Sequence, residues 1–210
     1  MIHFLTGTDL ILMPKLAASM FRDRNAQFVQ RLGWQLNVDQ HGFERDQYDH
    51  LNPLYVIIEN EDGLHDASLR LMPTTGPTMI NEHFSAALDG QTICRSDTWE
   101  CTRFCIAPGT DQSLSIELLA ATGRLMRELH IKHLVAVYDR AMRVQYRRAQ
   151  TLPEQLGMVE SPEGVVYAGR WSFTPEKLRE LRQRSKIYGA SLELSLVNSP
   201  IISREKVPFD

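Results

Sequence analysis

The chain has 210 residues, of which 43% are hydrophobic and 23% are charged, and its formal net charge is −3. This composition is that of an ordinary globular protein with enough chain to bury one large core, and the acidic balance argues against a general nucleic-acid binder. Three cysteines without a CxxC pair argue against a disulfide framework or a structural zinc site, so we expect reduced thiols in a cytoplasmic protein.

The N-terminal part is predicted to begin with a short strand and a helical region. Residues Ile2 to Leu5 have the pattern of a strand, and the apolar spacing from about Pro14 predicts a helix that stops at Gly33. The opening stretch contains polar residues and lacks a basic leader, so we predict neither a signal peptide nor a membrane span. After Trp34 the chain becomes polar and acidic in the run ERDQYDHLNP, which is typical of a binding loop or lid.

The rest of the chain alternates between strands and helices. Leu54 to Ile58 and Ala67 to Met72 are predicted as the two strands of a hairpin. After a strand around Glu100, the spacing predicts a helix from Asp111 to about His130 and then the buried strand HLVAVYD, an order that indicates a crossover and parallel pairing. The helix RAMRVQYRRAQ, the strand VVYAGRWSF and the helix TPEKLRELRQRSK follow, and residues 191–210 are predicted as a C-terminal surface extension. We therefore predict one α/β domain over residues 1–210, with a mixed central sheet flanked by helices on both faces.

Charged residues interrupt two of the apolar runs. Arg70 lies in the second hairpin strand, and Glu100 and Arg103 lie in the run DTWECTRFCIAP. Ionised groups are costly to bury unless they are paired or bind a charged ligand, so we expect a functional site here. Residues three apart on a regular strand point to opposite faces, and we therefore predict a β-bulge near Cys101 and Thr102.

Generic catalytic and metal-binding motifs are missing from the sequence. There is no Walker loop and no GxGxxG, GxSxG or HExxH motif. The pairs His130 with His133 and Asp46 with Asp49 are weak metal signals, because each lacks the further ligands that a site needs. We therefore predict no metal site and no cofactor.

Four blocks of sequence carry a resemblance to a known family. FRDRNAQFVQRLGW, ERDQYD, RLMPTTGP and WECTRF resemble, in this order, the signature blocks of the acyl-homoserine-lactone synthases, which make the autoinducers of bacterial quorum sensing. The resemblance covers roughly the first half of the chain. It implies an acetyltransferase-like, GNAT-related fold and two substrates, S-adenosylmethionine and a fatty acyl group on acyl carrier protein or, alternatively, on coenzyme A.

The resemblance also implies which residues bind S-adenosylmethionine: Arg24, Phe28, Trp34, Asp46, Asp49, Arg70, Arg103 and Phe104. An aromatic ring suits the sulfonium, a carboxylate suits the amino group and an arginine suits the substrate carboxylate. The amine must lose a proton before it attacks a thioester, and Glu100, directly or through a water, is the expected general base, with Arg103 as the second catalytic residue. The carboxylate of the acylated intermediate then closes the lactone and expels methylthioadenosine.

The second half of the chain matches the family less well. Met126 and Ala136 are assigned to the acyl-chain pocket, and the strand HLVAVYD lacks the threonine of some family members that make 3-oxo products, which favours an unsubstituted acyl chain. Arg143, Arg147 and Arg148 of the basic helix are assigned to docking of the acidic carrier protein. The plainer interpretation of these arginines is a solvated helix face.

Two other functions remain open from the sequence. One is a coenzyme-A-dependent N-acyltransferase of the same fold, although such enzymes follow the central strand with an RxxGxG/A-type loop and this chain has APGTDQS. The other is a non-catalytic DNA-binding regulator, which the acidic net charge and the lack of a helix-turn-helix pattern disfavour. We expect neither a nucleic-acid nor a membrane partner.

Overall fold

The structure is a computed structural model that describes residues 1–161, 164–186, 192, 195–196 and 199–201. Within these residues, seven strands form one sheet: β1 (Ile2–Thr6), β2 (Leu54–Glu59), β3 (His65–Pro73), β4 (Thr98–Ile106), β5 (His133–Asp139), β6 (Glu154–Ser161) and β7 (Gly164–Ser172). Their order is β1-β2-β3-β4-β5-β7-β6, in which β4 and β5 are parallel and all other neighbours are antiparallel. This mixed sheet confirms the predicted fold class.

Helices cover both faces of the sheet. They are α1 (Gly7–Ile11), α2 (Pro14–Arg24), α3 (Met79–His83), α4 (Leu114–Glu128), α5 (Arg140–Arg148) and α6 (Pro175–Arg184). A π-helical segment, Asn25–Arg31, continues α2, and two short 3₁₀ segments lie at Gln47–Leu51 and Ser85–Leu88. In the part of the chain that the structure describes, no helix is both long and apolar enough to cross a membrane.

The core has one layer on each face of the sheet. Leu118 and Leu125 of α4 pack with Val56 on one face, and Met20 of α2 packs with Tyr55 on the other. Because successive residues of a strand point to opposite faces, β2 supplies side chains to both layers. We call these the α4 face and the α2 face.

β4 and β5 pair over only a short length. Three residue pairs join the two strands, and the last of them is Glu100 with Val135. Beyond this point β4 continues to Ile106 along β3, and β5 continues to Asp139 along β7. Where neighbouring strands part, their backbone N–H and C=O groups face the space between them instead of each other. The gap between β4 and β5 therefore opens at Glu100.

A β-bulge is present in β4, but it lies two residues beyond the predicted residues 101–102. Arg103 and Phe104 together oppose the single residue Leu69 of β3. Arg103 has a φ of 52°, in the left-handed region that costs a residue with a Cβ roughly 1–2 kcal/mol. The extra residue turns Arg103 toward the α2 face, so that Glu100 and Arg103 lie on the same face of the sheet although they are three apart.

Part of the prediction for the C-terminus needs correction. Most of residues 191–210 lies outside the described residues. Leu192 and Leu196, which are described, are buried in the core of the α4 face, and the Ser199 hydroxyl donates to the Phe4 carbonyl at 3.1 Å. These three residues therefore pack into the fold and are not part of a surface extension, because the apolar leucines cover the sheet.

Candidate active site

Three arginines and three carboxylates interlock on the α2 face. They are Arg24, Arg70 and Arg103 with Glu44, Asp46 and Asp49, and no side chain among them is more than 13% exposed. We call this group the charge cluster. Its formal charges sum to zero, which is the condition under which buried ions are tolerated.

Arg24 is the most enclosed member of the charge cluster. It ends α2, and its two terminal nitrogens donate to the two carboxylate oxygens of Asp49 at 2.9 Å each. Its Nε donates to Glu44 at 2.6 Å. Burial alone would raise the pKa of Asp49, but the charge and hydrogen bonds of Arg24, the charge of Arg70 and a hydrogen bond from Tyr55 together hold that pKa well below its ordinary value. All three nitrogens of Arg24 donate to carboxylates of the protein and the side chain is enclosed, so Arg24 organises the cluster and is not available to a ligand.

Arg70 joins β3 to the acidic loop. Its Nη2 donates to Asp46 at 2.9 Å, its Nη1 donates to Asp49 at 2.9 Å, and its Nε donates to Thr102 at 3.0 Å. The two aspartates also form a capping box at the start of the 3₁₀ segment Gln47–Leu51, in which each carboxylate accepts from the other's backbone N–H. The spacing of the run ERDQYD therefore presents both carboxylates to the same arginine.

Arg103 lies at the open edge of the charge cluster. It contacts Glu44 at 2.9 Å and Asp46 at 2.8 Å, and its guanidinium carbon lies 5.8 Å from the ring centre of Phe28. Phe28 stacks on Trp34 with ring centres 5.2 Å apart and planes 8° apart, and Trp34 is 42% exposed. Asp46 and Arg103, at 13% and 7%, are the most exposed side chains of the cluster, so the cluster meets the solvent at these two residues and at the neighbouring ring of Trp34.

Glu100 is fully buried beside the charge cluster. Its two carboxylate oxygens accept the backbone N–H groups of Met79 at 3.0 Å and Ile80 at 2.6 Å. Burial raises the pKa of Glu100 from 4.5 to about 7, although both amides and the charge of Arg70 oppose this change. A carboxyl group with this pKa can accept and release a proton near neutral pH.

The structure brings together most of the residues predicted for this site. The α2 face carries Arg24, Phe28, Trp34, Asp46, Asp49, Arg70, Glu100 and Arg103. Phe104 is the exception, because the bulge turns it to the α4 face, where it packs against the core. Sequence reasoning also missed Glu44, although it is the first acidic residue of the run ERDQYD.

The residues predicted for the acyl-chain pocket and for carrier docking lie elsewhere. Met126 is fully buried in the core of the α4 face, and Ala136 follows the last residue of β5 that pairs with β4. Arg143 is half-buried and lies 4.6 Å over the ring of Tyr167. Arg147 and Arg148 are exposed and form no ion pair with any residue that the structure describes.

This chain is similar to known proteins in both sequence and fold. Residues 10–167 match the family model for autoinducer synthases. An acyl-homoserine-lactone synthase from Rhizobium etli is 38% identical over 190 residues, which are 87% of this chain and 89% of that relative.

Three solved structures extend this comparison. MesI, a CoA-dependent acyl-homoserine lactone synthase, has a TM-score of 0.78 at 26% identity and covers 90% of this chain and 97% of its own. TofI, solved in a ternary complex with an inhibitor and MTA, has a TM-score of 0.68 at 28% identity over 79% of this chain and 88% of its own. An acyl-CoA N-acyltransferase from Pseudomonas aeruginosa shares the fold alone, with a TM-score of 0.55 at 12% identity over 82% of this chain and 99% of its own.

Proposed function

This chain belongs to the autoinducer synthase family, and we propose the substrates and the steps by which it makes an acyl-homoserine lactone. It is an acyl-homoserine-lactone synthase and therefore an acyltransferase. The proposed substrates are S-adenosylmethionine and a fatty acyl group carried by acyl carrier protein. The proposed products are N-acyl-homoserine lactone, for quorum sensing, and methylthioadenosine, made in the cytoplasm. The observation that carries this proposal is the buried proton acceptor Glu100 beside a charge cluster with one open edge.

S-adenosylmethionine fits the open edge of the charge cluster. Its ammonium group suits Asp46, its carboxylate suits Arg103, and its sulfonium suits the stacked rings of Trp34 and Phe28. Arg24 and Asp49 are enclosed by protein partners, so in this proposal they hold the edge in place without touching the substrate. The relative TofI supports the proposal because its structure contains MTA, which the reaction would release.

Acyl transfer requires the ammonium group to lose a proton. In the proposed step this proton passes to the Glu100 carboxylate, directly or through one water, and the freed nitrogen attacks the thioester carbonyl carbon. The new amide bond forms as the carbon–sulfur bond of the thioester breaks and the carrier leaves as a thiol. The gap between β4 and β5 opens at Glu100, and we take it as the proposed route of the acyl group to the same residue. Met126 and Ala136, on the α4 face of this gap, are the proposed pocket for the chain.

Lactone closure needs orientation more than a further acid or base. A carboxylate oxygen of the acylated intermediate attacks the carbon next to the sulfonium, and the bond between that carbon and sulfur breaks to release methylthioadenosine. Arg103 can hold the carboxylate in place through its Nη1, because its Nε and Nη2 already contact Glu44 and Asp46, whereas Nη1 has, among the described residues, only the Met79 sulfur at 3.9 Å. The proposed chemistry requires no metal and no cofactor.

Two observations favour a carrier protein over coenzyme A as the donor. Arg147 and Arg148 of α5 are exposed without ion-pair partners among the described residues, which suits an acidic protein. The start of α4, where acyl-CoA enzymes of this fold hold the diphosphate, is instead occupied by Asp111, which accepts from the Ser113 N–H at 2.8 Å. MesI is nevertheless CoA-dependent, so both donors belong in the test.

The proposed function is tested by product analysis. Purified protein is incubated with S-adenosylmethionine and a panel of acyl carrier protein and coenzyme A thioesters, and products are followed by mass spectrometry. Joint appearance of an acyl-homoserine lactone and methylthioadenosine is the expected result, and the fastest thioester identifies the carrier and the chain length. If folded protein forms neither product with any donor, the proposed reaction is wrong.

A further inference from the structure

Thr78 carries a buried hydroxyl that has no hydrogen-bond partner among the described residues. The residue is fully buried, and an unpaired hydroxyl in the interior costs free energy, so nearly all such groups in proteins are paired. Thr78 is the N-cap residue of α3, with extended backbone angles of φ −141° and ψ 148°. A threonine at this position ordinarily accepts an N–H of the first helical turn. The missing partner therefore needs a physical reason.

The reason is that Glu100 occupies the capping position. An N-cap hydroxyl ordinarily accepts from the second or third residue of the helix, and the second residue of α3 is Ile80. The N–H of Ile80 donates to Glu100 at 2.6 Å, and the N–H of Met79 donates to the other carboxylate oxygen at 3.0 Å. The backbone of Thr78 already has the extended conformation of a capping residue, so a change of side-chain rotamer is the only movement that this residue needs in order to cap α3.

We propose that Thr78 is a positioning residue for Glu100, whose hydroxyl takes over the Ile80 amide when Glu100 accepts the proton of the attacking amine. This inference rests on the proposed role of Glu100 as the base. A protonated carboxyl accepts an amide N–H less strongly than a carboxylate does, so proton transfer would leave the α3 amides poorly paired. Thr78 supplies a replacement within the same turn, stabilises the protonated form of Glu100 and makes Glu100 a stronger base.

The other groups that act on Glu100 are charged or titratable. Arg70 of β3 lowers the pKa of Glu100, and Asp46 of the acidic loop raises it. Burial raises the pKa of Tyr48, within the acidic loop, and of Cys101, the neighbour of Glu100, and the charge of Glu100 raises both further. A substitution at Thr78 leaves all these groups unchanged, so its effect on the pH dependence of the reaction reports on the hydroxyl alone.

The test compares Thr78→Val, which removes the hydroxyl at nearly constant volume, with Thr78→Ser, which keeps it. We would measure kcat against pH at saturating substrates, together with the KM for S-adenosylmethionine and the melting temperature. Without the hydroxyl the protonated form of Glu100 is less stable. The acidic limb of the kcat–pH profile should therefore move to lower pH by up to about one unit, and the plateau value of kcat should fall by up to about tenfold. Thr78→Ser should follow the wild type, and the KM should not change.

Thr122→Val is the matched control, because Thr122 is also fully buried with an unpaired hydroxyl but lies on α4. It should leave the acidic limb in place. An unchanged limb and plateau in Thr78→Val, or an equal loss in Thr78→Ser, would overturn the inference. If Thr78→Val does not fold, Thr78→Ala takes its place with the same expectation. If the wild-type enzyme makes no lactone, the proposed function itself is wrong. If Thr78→Val has the same pH profile as the wild type, only the inference about Thr78 is wrong.

Discussion

The Glu44 carboxylate accepts from the Nε atoms of both Arg24 and Arg103 through the same oxygen, at 2.6 and 3.2 Å. Arg24 belongs to α2 and Arg103 to β4, so one fully buried carboxylate connects a helix to the central strand beneath it. The backbone N–H of Glu44 also donates to the Phe21 carbonyl of α2 at 3.1 Å. Glu44 therefore fixes the position of Arg103 at the open edge of the charge cluster.

Glu44→Gln should strongly destabilise the fold. The amide removes a negative charge from a neutral cluster and leaves two buried arginines with less compensation, which costs roughly 3–5 kcal/mol of unfolding free energy. Urea unfolding measures this cost. The matched control is Glu154→Gln, which breaks the exposed pair with Arg170 and should cost no more than about 1 kcal/mol. Equal small losses in the two variants would show that Glu44 does not hold the cluster together.

The rate of acyl transfer should depend on the ionisation of Glu100. The base must be deprotonated to accept a proton, so kcat should rise with pH through about 7, the value to which burial raises the pKa of Glu100. Glu100→Gln should lower kcat by at least about a hundredfold and leave the affinity for S-adenosylmethionine within a few-fold. Steady-state kinetics and calorimetric binding separate the two effects. A full rate in Glu100→Gln would exclude it as the base.

Stability should also depend on pH through Glu100. Its pKa in the folded chain is raised above 4.5, so its contribution to stability is fully present below pH 4.5 and is lost as pH rises to about 7. The loss is on the order of 3 kcal/mol. The difference in unfolding free energy between the wild type and Glu100→Gln should therefore decrease as the pH rises from 4.5 to about 7. A difference that stays constant with pH would mean that Glu100 titrates normally.

Charge reversal on α5 should weaken carrier binding. Arg147→Glu combined with Arg148→Glu should raise the KM for the carrier-bound substrate several-fold and leave that for S-adenosylmethionine unchanged, because only the protein donor meets this surface. The control is Arg95→Glu with Lys132→Glu, which makes the same change in net charge beside the starts of β4 and β5. The same KM for the carrier in both double variants would remove α5 from the docking surface.

Much of the fold follows from the order of apolar runs, but β6 (Glu154–Ser161) does not. The sequence predicts β1, the hairpin and the parallel pairing of β4 with β5, because these strands are continuous apolar segments with clear boundaries. β6 is an edge strand with exposed polar residues and an internal glycine, Gly157, and neither feature favours a strand. A Cβ at Gly157 would lie 2.1 Å from the Ala87 carbonyl oxygen, a contact that no local pattern shows.

The sequence indicates which charged residues form the site but not how they pair. Buried charges must be neutralised by a protein partner or by a ligand, and the sequence alone does not distinguish these cases. In the structure every nitrogen of the Arg24 and Arg70 side chains donates to a protein oxygen, and Arg103 is the member at the open edge. The role of Glu44 depends on the turn between Val38 and Glu44, which an isolated antiparallel bridge between these two residues closes. Such a turn has neither helical nor strand periodicity in its sequence, so the sequence does not predict it.

The bulge at Arg103 and Phe104 fixes the number of residues that β4 must contain. Deletion of Phe104 would restore regular pairing and place Arg103 directly opposite Leu69, and residues that oppose each other in a ladder point to the same face. Leu69 points into the apolar core of the α4 face, so the guanidinium would be buried there without a carboxylate. Deletion of one residue here would therefore remove Arg103 from the charge cluster without changing any charged residue.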